Sequence, residues 1–381
     1  MHARGIRALG ISALLIFFGS LCVTPAGRSV TVSALPARLS DQEFWHLIAD
    51  FSEPDGFFRS DNLVSNESTF QRVIPELHER TRRGGVYLGV GPDQNFTYIA
   101  AIHPRIAFIV DIRRQNLMLH LMYKAIIEQT DNRVEFVSTL FSRPRPRPHD
   151  VPPSAPPETI FAAFKSTQAD ERLYAQNLKA ITTRLLDHHK LPLTRQDLRS
   201  LEYVYRAFYT SGPDLRYSFP RGPWFAGFPT YAELMIETDA TGAKHSYLAD
   251  EEHYRALRDL ERRNLVVPVV GDFAGTKALR SIAEYLRQHA ATVAVFYTSN
   301  VEQYLFQGPG WRRFFGNVAA LPLDEKSLFI RAYFNNMGYR YQLTSSTFRS
   351  ATLLDSIGDE VAAFNEGRIQ SYYDVIDRSK P

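Results

Sequence analysis

Apolar positions along the chain first fall into a helical rhythm between residues 41 and 51, where Phe44, Trp45, Leu47, Ile48 and Phe51 share a face and Ser40 or Asp41 caps the start. The rhythm returns from Phe70 to Arg80 and stops at Gly84-Gly85. Between the two helices, Ser52 to Glu67 is a long loop dense in turn formers and polar groups. Val86 to Val90 then reads as a buried strand running into Gly91-Pro92, with a helix from Asn95 to Ile102 behind it. Ile106 to Ile112 is almost continuously apolar, the pattern of a parallel strand covered on both faces. A helix from Arg114 to Glu128 follows, and Val134 to Leu140 reads as a third strand. Strand and helix alternate, which predicts a doubly wound parallel sheet.

The rhythm breaks at residues 143–157, a Pro-rich stretch that cannot hold a helix and is expected to be extended and flexible. Helical patterns at Thr159 to Phe164, Asp170 to His188 and Thr194 to Tyr209 read as an insertion, closed by a turn-rich aromatic segment from Ser211 to Pro229. The α/β alternation resumes with a helix from Asp250 to Arg263, a strand from Leu265 to Val270 ending at Gly271-Asp272, a helix from Thr276 to His289, a strand from Thr292 to Tyr297 and a short helix near Asn300. Ser327 to Phe334 and Tyr339 to Phe348 read as an antiparallel edge hairpin joined by Asn335 to Gly338, before a last helical stretch from Asp359. The fold class expected is α/β, a doubly wound, mostly parallel sheet with an antiparallel edge hairpin and a helical insertion. The corresponding parts are a leader at 1–34, the two halves of the α/β domain at 35–142 and 250–381, the Pro-rich linker at 143–157, and the helical and aromatic insertion at 158–249.

Composition narrows the function classes. Hydrophobic residues at 44% and charged residues at 22% suit a globular chain with a real core. Forty-four Lys and Arg against 41 Asp and Glu leave only +3, too little to imply a nucleic-acid partner. The single cysteine, Cys22, lies in the leader, which removes disulfides, thiolate metal sites and a cysteine nucleophile from the rest. His188-His189 cannot share a helix face and no histidine pair has ligand spacing, so no metal site is expected. Arg4 and Arg7 precede an apolar run from Ala8 to Val23, and small residues follow up to Ala26 and Ala34. That layout predicts a secretory signal peptide or an uncleaved membrane anchor, hence an exported or tethered protein, and a cytoplasmic one if the true start is near Leu35.

The candidate chemistry lies where the first strand ends. Glycines at positions 89 and 91 let backbone approach a ligand, and the following helix aims its N-terminus there. Asp111 closes the next strand 111 − 91 = 20 residues later, where a carboxylate can accept hydrogen bonds from ribose hydroxyls. The plainer alternative is a tight turn, with Asp111 capping the helix that starts near Arg114.

In Leu88-Gly-Val-Gly-Pro92 and Phe108-Ile-Val-Asp111 the chain resembles the class I S-adenosylmethionine-dependent methyltransferases, over Val86 to Leu140 and Leu265 to Phe348. The resemblance implies a Rossmann-like sheet ending in a reversed edge strand, and S-adenosylmethionine as cofactor. Gly89, Gly91 and Pro92 would meet its methionine part, Asp111 its ribose, and Asp272 the cofactor or substrate. Asp272 and Tyr297 are the candidate proton acceptors. Two positions depart from the family pattern: Tyr87 stands where an acidic residue is usual, and Asp93 where a third glycine is common. Asn62, Asn66 and Glu67, from the polar loop, could supply the missing contacts. A nicotinamide-dependent oxidoreductase is the nearest rival, but its third glycine would fall on Gln94. An exported binding or structural protein that kept the fold without the reaction is the alternative from another class, since S-adenosylmethionine is made and used in the cytosol. Tyr203, Tyr205, Phe208, Tyr209, Tyr217, Phe219, Trp224 and Phe225 would either wall a substrate pocket or form a small core of their own.

Overall fold

The two apolar runs that flank the glycine turn become adjacent parallel strands, Val86–Gly89 (β1) and Ile106–Asp111 (β2), and every residue of both is buried. Successive strand side chains point to opposite faces, so full burial means that both faces of the sheet are covered. The computed structural model describes residues 34–218, 228–334 and 350–379. Among the described residues four further strands join the sheet: Val266–Val270 (β3), Val293–Ser299 (β4), Leu328–Phe334 (β5) and Ser350–Ser356 (β6). Their order is β3-β2-β1-β4-β5-β6, with β1 to β5 parallel and β6 antiparallel to β5. The mostly parallel α/β sheet with its reversed edge is the expected fold class, compatible with a Rossmann-like arrangement. Residues 1–33 of the expected leader (1–34), Phe219, Trp224 and Phe225, the Asn335 to Gly338 connection and the Tyr339 to Phe348 strand lie outside the described residues. The β5 partner that is described starts at Ser350, which faces Phe334.

Helices separate β1 to β5 from one another and also follow β6. The first four are α1 (Asp41–Phe51), α2 (Ile74–Arg80), α3 (Gln94–Ile102) and α4 (Arg114–Gln129). A capping box starts α1: the Ser40 hydroxyl accepts from the Glu43 N–H at 3.2 Å while the Glu43 carboxylate accepts from the Ser40 N–H at 2.7 Å. The expected third strand is instead a helix, α5 (Arg133–Phe141), capped by Asn132, whose side chain accepts from the Glu135 N–H at 2.9 Å. Seven of its nine residues are buried, and an apolar run enclosed on nearly all sides does not distinguish strand from helix. The place beside β2 goes to β3, so the crossover between them spans residues 112–265. It carries α5, α6 (Pro157–Ser166), α7 (Glu171–Thr183), α8 (Arg195–Ser211), α9 (Tyr231–Ile236) and α10 (Glu251–Glu261). After β3 come α11 (Ala278–Gln288), α12 (Val301–Leu305), α13 (Gly310–Ala319), α14 (Ile357–Asn365) and α15 (Tyr372–Arg378). No helix among the described residues is long and apolar enough to cross a membrane.

The Pro-rich segment forms neither helix nor strand, yet it is fastened. Arg133, 1% exposed, donates to the carbonyls of Pro153 (2.7 Å), Ala155 (2.9 Å), Leu248 (2.7 Å) and Ala249 (2.9 Å), and Val151 and Ala155 are buried beside it. One guanidinium thereby satisfies four carbonyls that no regular structure pairs.

Candidate functional site

The sheet reverses its winding between β1 and β4, and a cavity of about 290 Å³ opens there, at the C-terminal ends of β1, β2, β3 and β4. Open α/β sheets bind their ligands at such a switch point. Of the residues expected from sequence, Gly91, Pro92, Asp111, Asp272, Tyr297, Asn62 and Asn66 all line it.

Gly89 does not. A Cβ there would come within 1.9 Å of Asn95 Oδ1 and 2.8 Å of the Tyr87 ring, so this glycine makes room for the protein's own side chains. Asn95 Oδ1 accepts from the Tyr87 hydroxyl at 2.8 Å, and its Nδ2 donates to the carbonyls of Val90 (2.9 Å) and Pro92 (2.6 Å). The turn is thus braced from within α3. His120 of α4 supports it from below, its Nε2 2.8 Å from the Gly91 carbonyl. Burial drives the His120 pKa down to about 4, so the ring is neutral and donates from Nε2. Gly91 faces the cavity with φ +78°, a backbone region that glycine enters without strain.

Asp111 is buried and clamped. Its Oδ1 accepts from the Arg113 N–H and Nε, and its Oδ2 from Arg113 Nη2, each at 2.9 Å. The Arg113 Nη1 reaches the carbonyls of Ser60, at 2.8 Å, and Asp61. Burial disfavours the guanidinium charge, but the adjoining Asp111 outweighs it and holds the Arg113 pKa above its ordinary value. The pair therefore ties the polar loop of residues 52–69 to the end of β2, and it leaves roughly one acceptor position on Oδ2 for a ligand.

Asp272 follows β3 and accepts from the Ala274 N–H at 2.8 Å. Its own N–H donates to Glu53 (3.0 Å), whose carboxylate also accepts from the N–H groups of Lys277 (2.7 Å) and Ala278 (3.0 Å). Glu53 so occupies the N-terminus of α11, where an anionic ligand would otherwise find free donors.

The cavity floor is Glu67, 1% exposed. It accepts from the Tyr297 hydroxyl (2.8 Å), the Ser299 hydroxyl and Gln94 Nε2 (2.8 Å). Burial pushes its pKa up in spite of these three bonds. Ser299 (φ +53°) and Asn62 (φ +47°) both line the cavity in the left-handed region, at a cost of about 1–3 kcal/mol each. Such strain persists only where surrounding structure enforces it, and these are two of the eight non-glycine residues so placed among the described residues. Phe57, 85% exposed, stands on the rim, and Phe58 meets Tyr304 edge to face at 5.3 Å.

Of the aromatic run, Tyr217 lines the cavity. Tyr205, Phe208 and Tyr209 pack against Tyr174, Tyr123, Phe141 and Tyr231 in the helical layer, and the exposed Tyr203 donates to Asp61 at 2.7 Å. Sequence reasoning missed Arg113, Glu53 and Ser299, and it saw Glu67 as a spare polar contact rather than a buried carboxylate. The available signal was the concentration of Asn, Ser and Glu in the loop before β1, too dense for a mere connector. Among the described residues, no three His, Cys, Asp or Glu side chains are grouped to hold a metal ion.

Comparison with curated proteins finds no match. A family model matches residues 62–146 and 158–364, pausing within the Pro-rich segment and including every cavity residue discussed above except Glu53, Phe57, Phe58 and the Ser60-Asp61 anchor. The chain belongs to the family described as a domain of unknown function, DUF7790.

Proposed function

We propose that the cleft binds an adenosine-type ligand without a polyphosphate, S-adenosylmethionine foremost, and that the chain is a methyltransferase-like protein. The observation that carries this reading is the charge of the cleft. Glu67, Asp111 and Asp272 face it, and the one arginine among the described lining residues, Arg113, is already committed to Asp111. A pyrophosphate would meet Glu67 and Asp272, which no cation among the described residues offsets, and a helix end filled by Glu53, which disfavours a nicotinamide dinucleotide. A sulfonium or ammonium group would meet complementary charge.

The residues fit such a ligand in these roles. Asp111 accepts from a ribose hydroxyl, the Gly91-Pro92 backbone lies along the chain of the ligand, and Asp272, Asn62 and Asn66 offer polar contacts around it. The cofactor supplies an electrophilic methyl group, and the protein's part is alignment. Tyr297 donates its hydroxyl proton to Glu67, so its phenol is committed to that carboxylate and Asp272 is the better placed of the two candidate proton acceptors. A second reading, an exported binding protein without transfer, draws on the arginine clamp over Asp111 and on the self-braced glycine turn.

Calorimetric titration of the full chain with S-adenosylmethionine, S-adenosylhomocysteine and NAD tests both. Binding of the first two and not of NAD is expected. Binding of NAD alone, or of none, sinks the proposal. Tight adenosyl binding with no methyl loss across a panel of acceptors, from a chain found outside the cytosol, selects the second reading.

A further inference from the structure

Glu67 poses a problem that the cleft's charge does not by itself resolve. Its carboxylate is enclosed, yet every donor to it is neutral: a phenol, a hydroxyl and an amide. The amide is held in that orientation, because Gln94 Oε1 accepts from the Ser65 hydroxyl while Nε2 also meets the Tyr98 hydroxyl at 3.0 Å. Among the described residues no cation pairs with Glu67. The titratable groups facing it are Tyr87 of β1, Tyr98 of α3, Tyr297 of β4 and Tyr372 of α15, all phenols that burial holds neutral. Across the cavity stand Asp111 and Asp272, both acidic. Burying an uncompensated carboxylate is costly, and the cost is met by a proton or by a positive group brought from outside.

We propose that Glu67 is the counter-ion for a primary ammonium group of the ligand, so that the cleft selects an aminoacyl-bearing nucleoside over the bare nucleoside. This rests on the reading of the cleft as an adenosyl site and adds the group that distinguishes one adenosyl ligand from another. Glu67 enters from the loop before β1, and position 87 of β1 is tyrosine. Before a ligand enters, burial favours the protonated carboxyl. When the ammonium group arrives that proton leaves to solvent, and the carboxylate and ammonium form the pair, so charge and protons balance.

The full chain is titrated with S-adenosylhomocysteine, with 5′-methylthioadenosine, which lacks the aminoacyl part, and with L-methionine, which lacks the nucleoside. Wild type should prefer S-adenosylhomocysteine to 5′-methylthioadenosine by at least about tenfold, as a charge-assisted hydrogen bond implies. Glu67→Gln should collapse that preference to within about threefold and leave 5′-methylthioadenosine unchanged. In buffers of different ionisation enthalpy, S-adenosylhomocysteine should release up to one proton on the acidic side of the Glu67 pKa and progressively less above it. 5′-Methylthioadenosine, and the Glu67→Gln variant with either ligand, should release none. If that variant does not fold, Ser299→Ala keeps the carboxylate, removes one neutral donor, and should weaken S-adenosylhomocysteine alone.

Equal affinity of wild type for the two adenosyl ligands, or equal loss of both in Glu67→Gln, overturns the inference and leaves the adenosyl reading standing. Glu67-dependent binding of L-methionine with no adenosyl binding does the reverse. Binding of none of the three overturns both.

Discussion

Replacing Asp111 by alanine tests how the cleft is built. The carboxylate accepts three hydrogen bonds from Arg113, and both side chains are nearly enclosed, at 5% and 8% exposure. Asp111→Ala leaves the guanidinium in place with its charge unmatched, and breaking a buried pair from one side costs about 3–5 kcal/mol. Arg113 keeps the Ser60 and Asp61 carbonyls as acceptors, which argues for the lower half of that range. At about 2–4 °C per kcal/mol for domains of 150–250 residues, and roughly 1.4 °C for one of this size, the melting temperature should fall on the order of 4–6 °C. Asp111→Ala with Arg113→Met removes both charges, so the double variant should lose less than the two single losses added together, a coupling readable from urea denaturation of all four proteins. Asp111→Ala within about 1 kcal/mol of wild type would refute the clamp, since a pair of this burial cannot be lost so cheaply. Strict additivity would refute it as well. Ligand studies should use Asp111→Asn, which keeps an acceptor for Arg113 and tests affinity apart from folding.

Other perturbations follow from equally specific contacts. Gly89→Ala should destabilise the chain by about 1–3 kcal/mol through its clash with Asn95 and Tyr87; thermal melts of Gly89→Ala alone and with Asn95→Ala check this, since shortening Asn95 should return part of the loss. His189 lies between Asp41 (2.7 Å) and Glu128 (2.6 Å); burial lowers its pKa, but those carboxylates raise it overall, above the ordinary 6.5. Its contribution is therefore complete below about 6.5 and disappears as pH rises through the raised value, so denaturation midpoints of wild type and His189→Ala should converge as pH rises above about 6.5. Burial opposes ionisation of Glu128, yet its bonds to His189 and Lys124 bring its pKa down to about 2, so that carboxylate's share is present above the ordinary 4.5 and is lost only as pH falls toward 2. Arg133→Met should expose residues 143–157 to limited proteolysis that wild type resists, because four carbonyls lose their common donor; equal cleavage of the two proteins would show that the segment does not depend on that arginine.

The sheet was legible wherever apolar runs were bounded by glycine or by a charged terminus, as at Val86 to Gly91 and Ile106 to Asp111. Val134 to Leu140 misled because its composition suits either element. The deciding signal was Asn132 three residues before Glu135, a helix start that a reading of apolar period alone overlooks. The cavity was legible at Gly91, Asp111 and Asp272 because strand ends in such sheets converge on one side. Gly89 was not, since the demand for glycine there comes from Asn95 and Tyr87, partners defined only once α3 has docked. Arg113 escaped because a basic residue two positions past an aspartate looks like a solvated helix start, and its burial depends on a loop 50 residues earlier. Glu67 shows the same limit: its residue type was visible, but its enclosure by β4 and α3 is a property of the tertiary fold.

The long crossover from β2 to β3 has a consequence for how this chain is made. Ala107 pairs with Val266, 266 − 107 = 159 positions later, and Val86 of β1 pairs with Val293, 293 − 86 = 207 positions later. At roughly 5–20 residues per second of synthesis, β2 waits on the order of 8–30 s for its outer neighbour, and β1 waits longer. Throughout that interval the β1-β2 pair has two bare edges rich in Ile, Val and Phe, the kind of surface that joins to other chains. Helix α4 packs on β2, and α5 and α8 pack on α4, all before β3 has been made. Synthesis halted between α8 and β3 would therefore leave a helical body carrying an unfinished sheet, and that stretch is where the growing chain is most open to joining others.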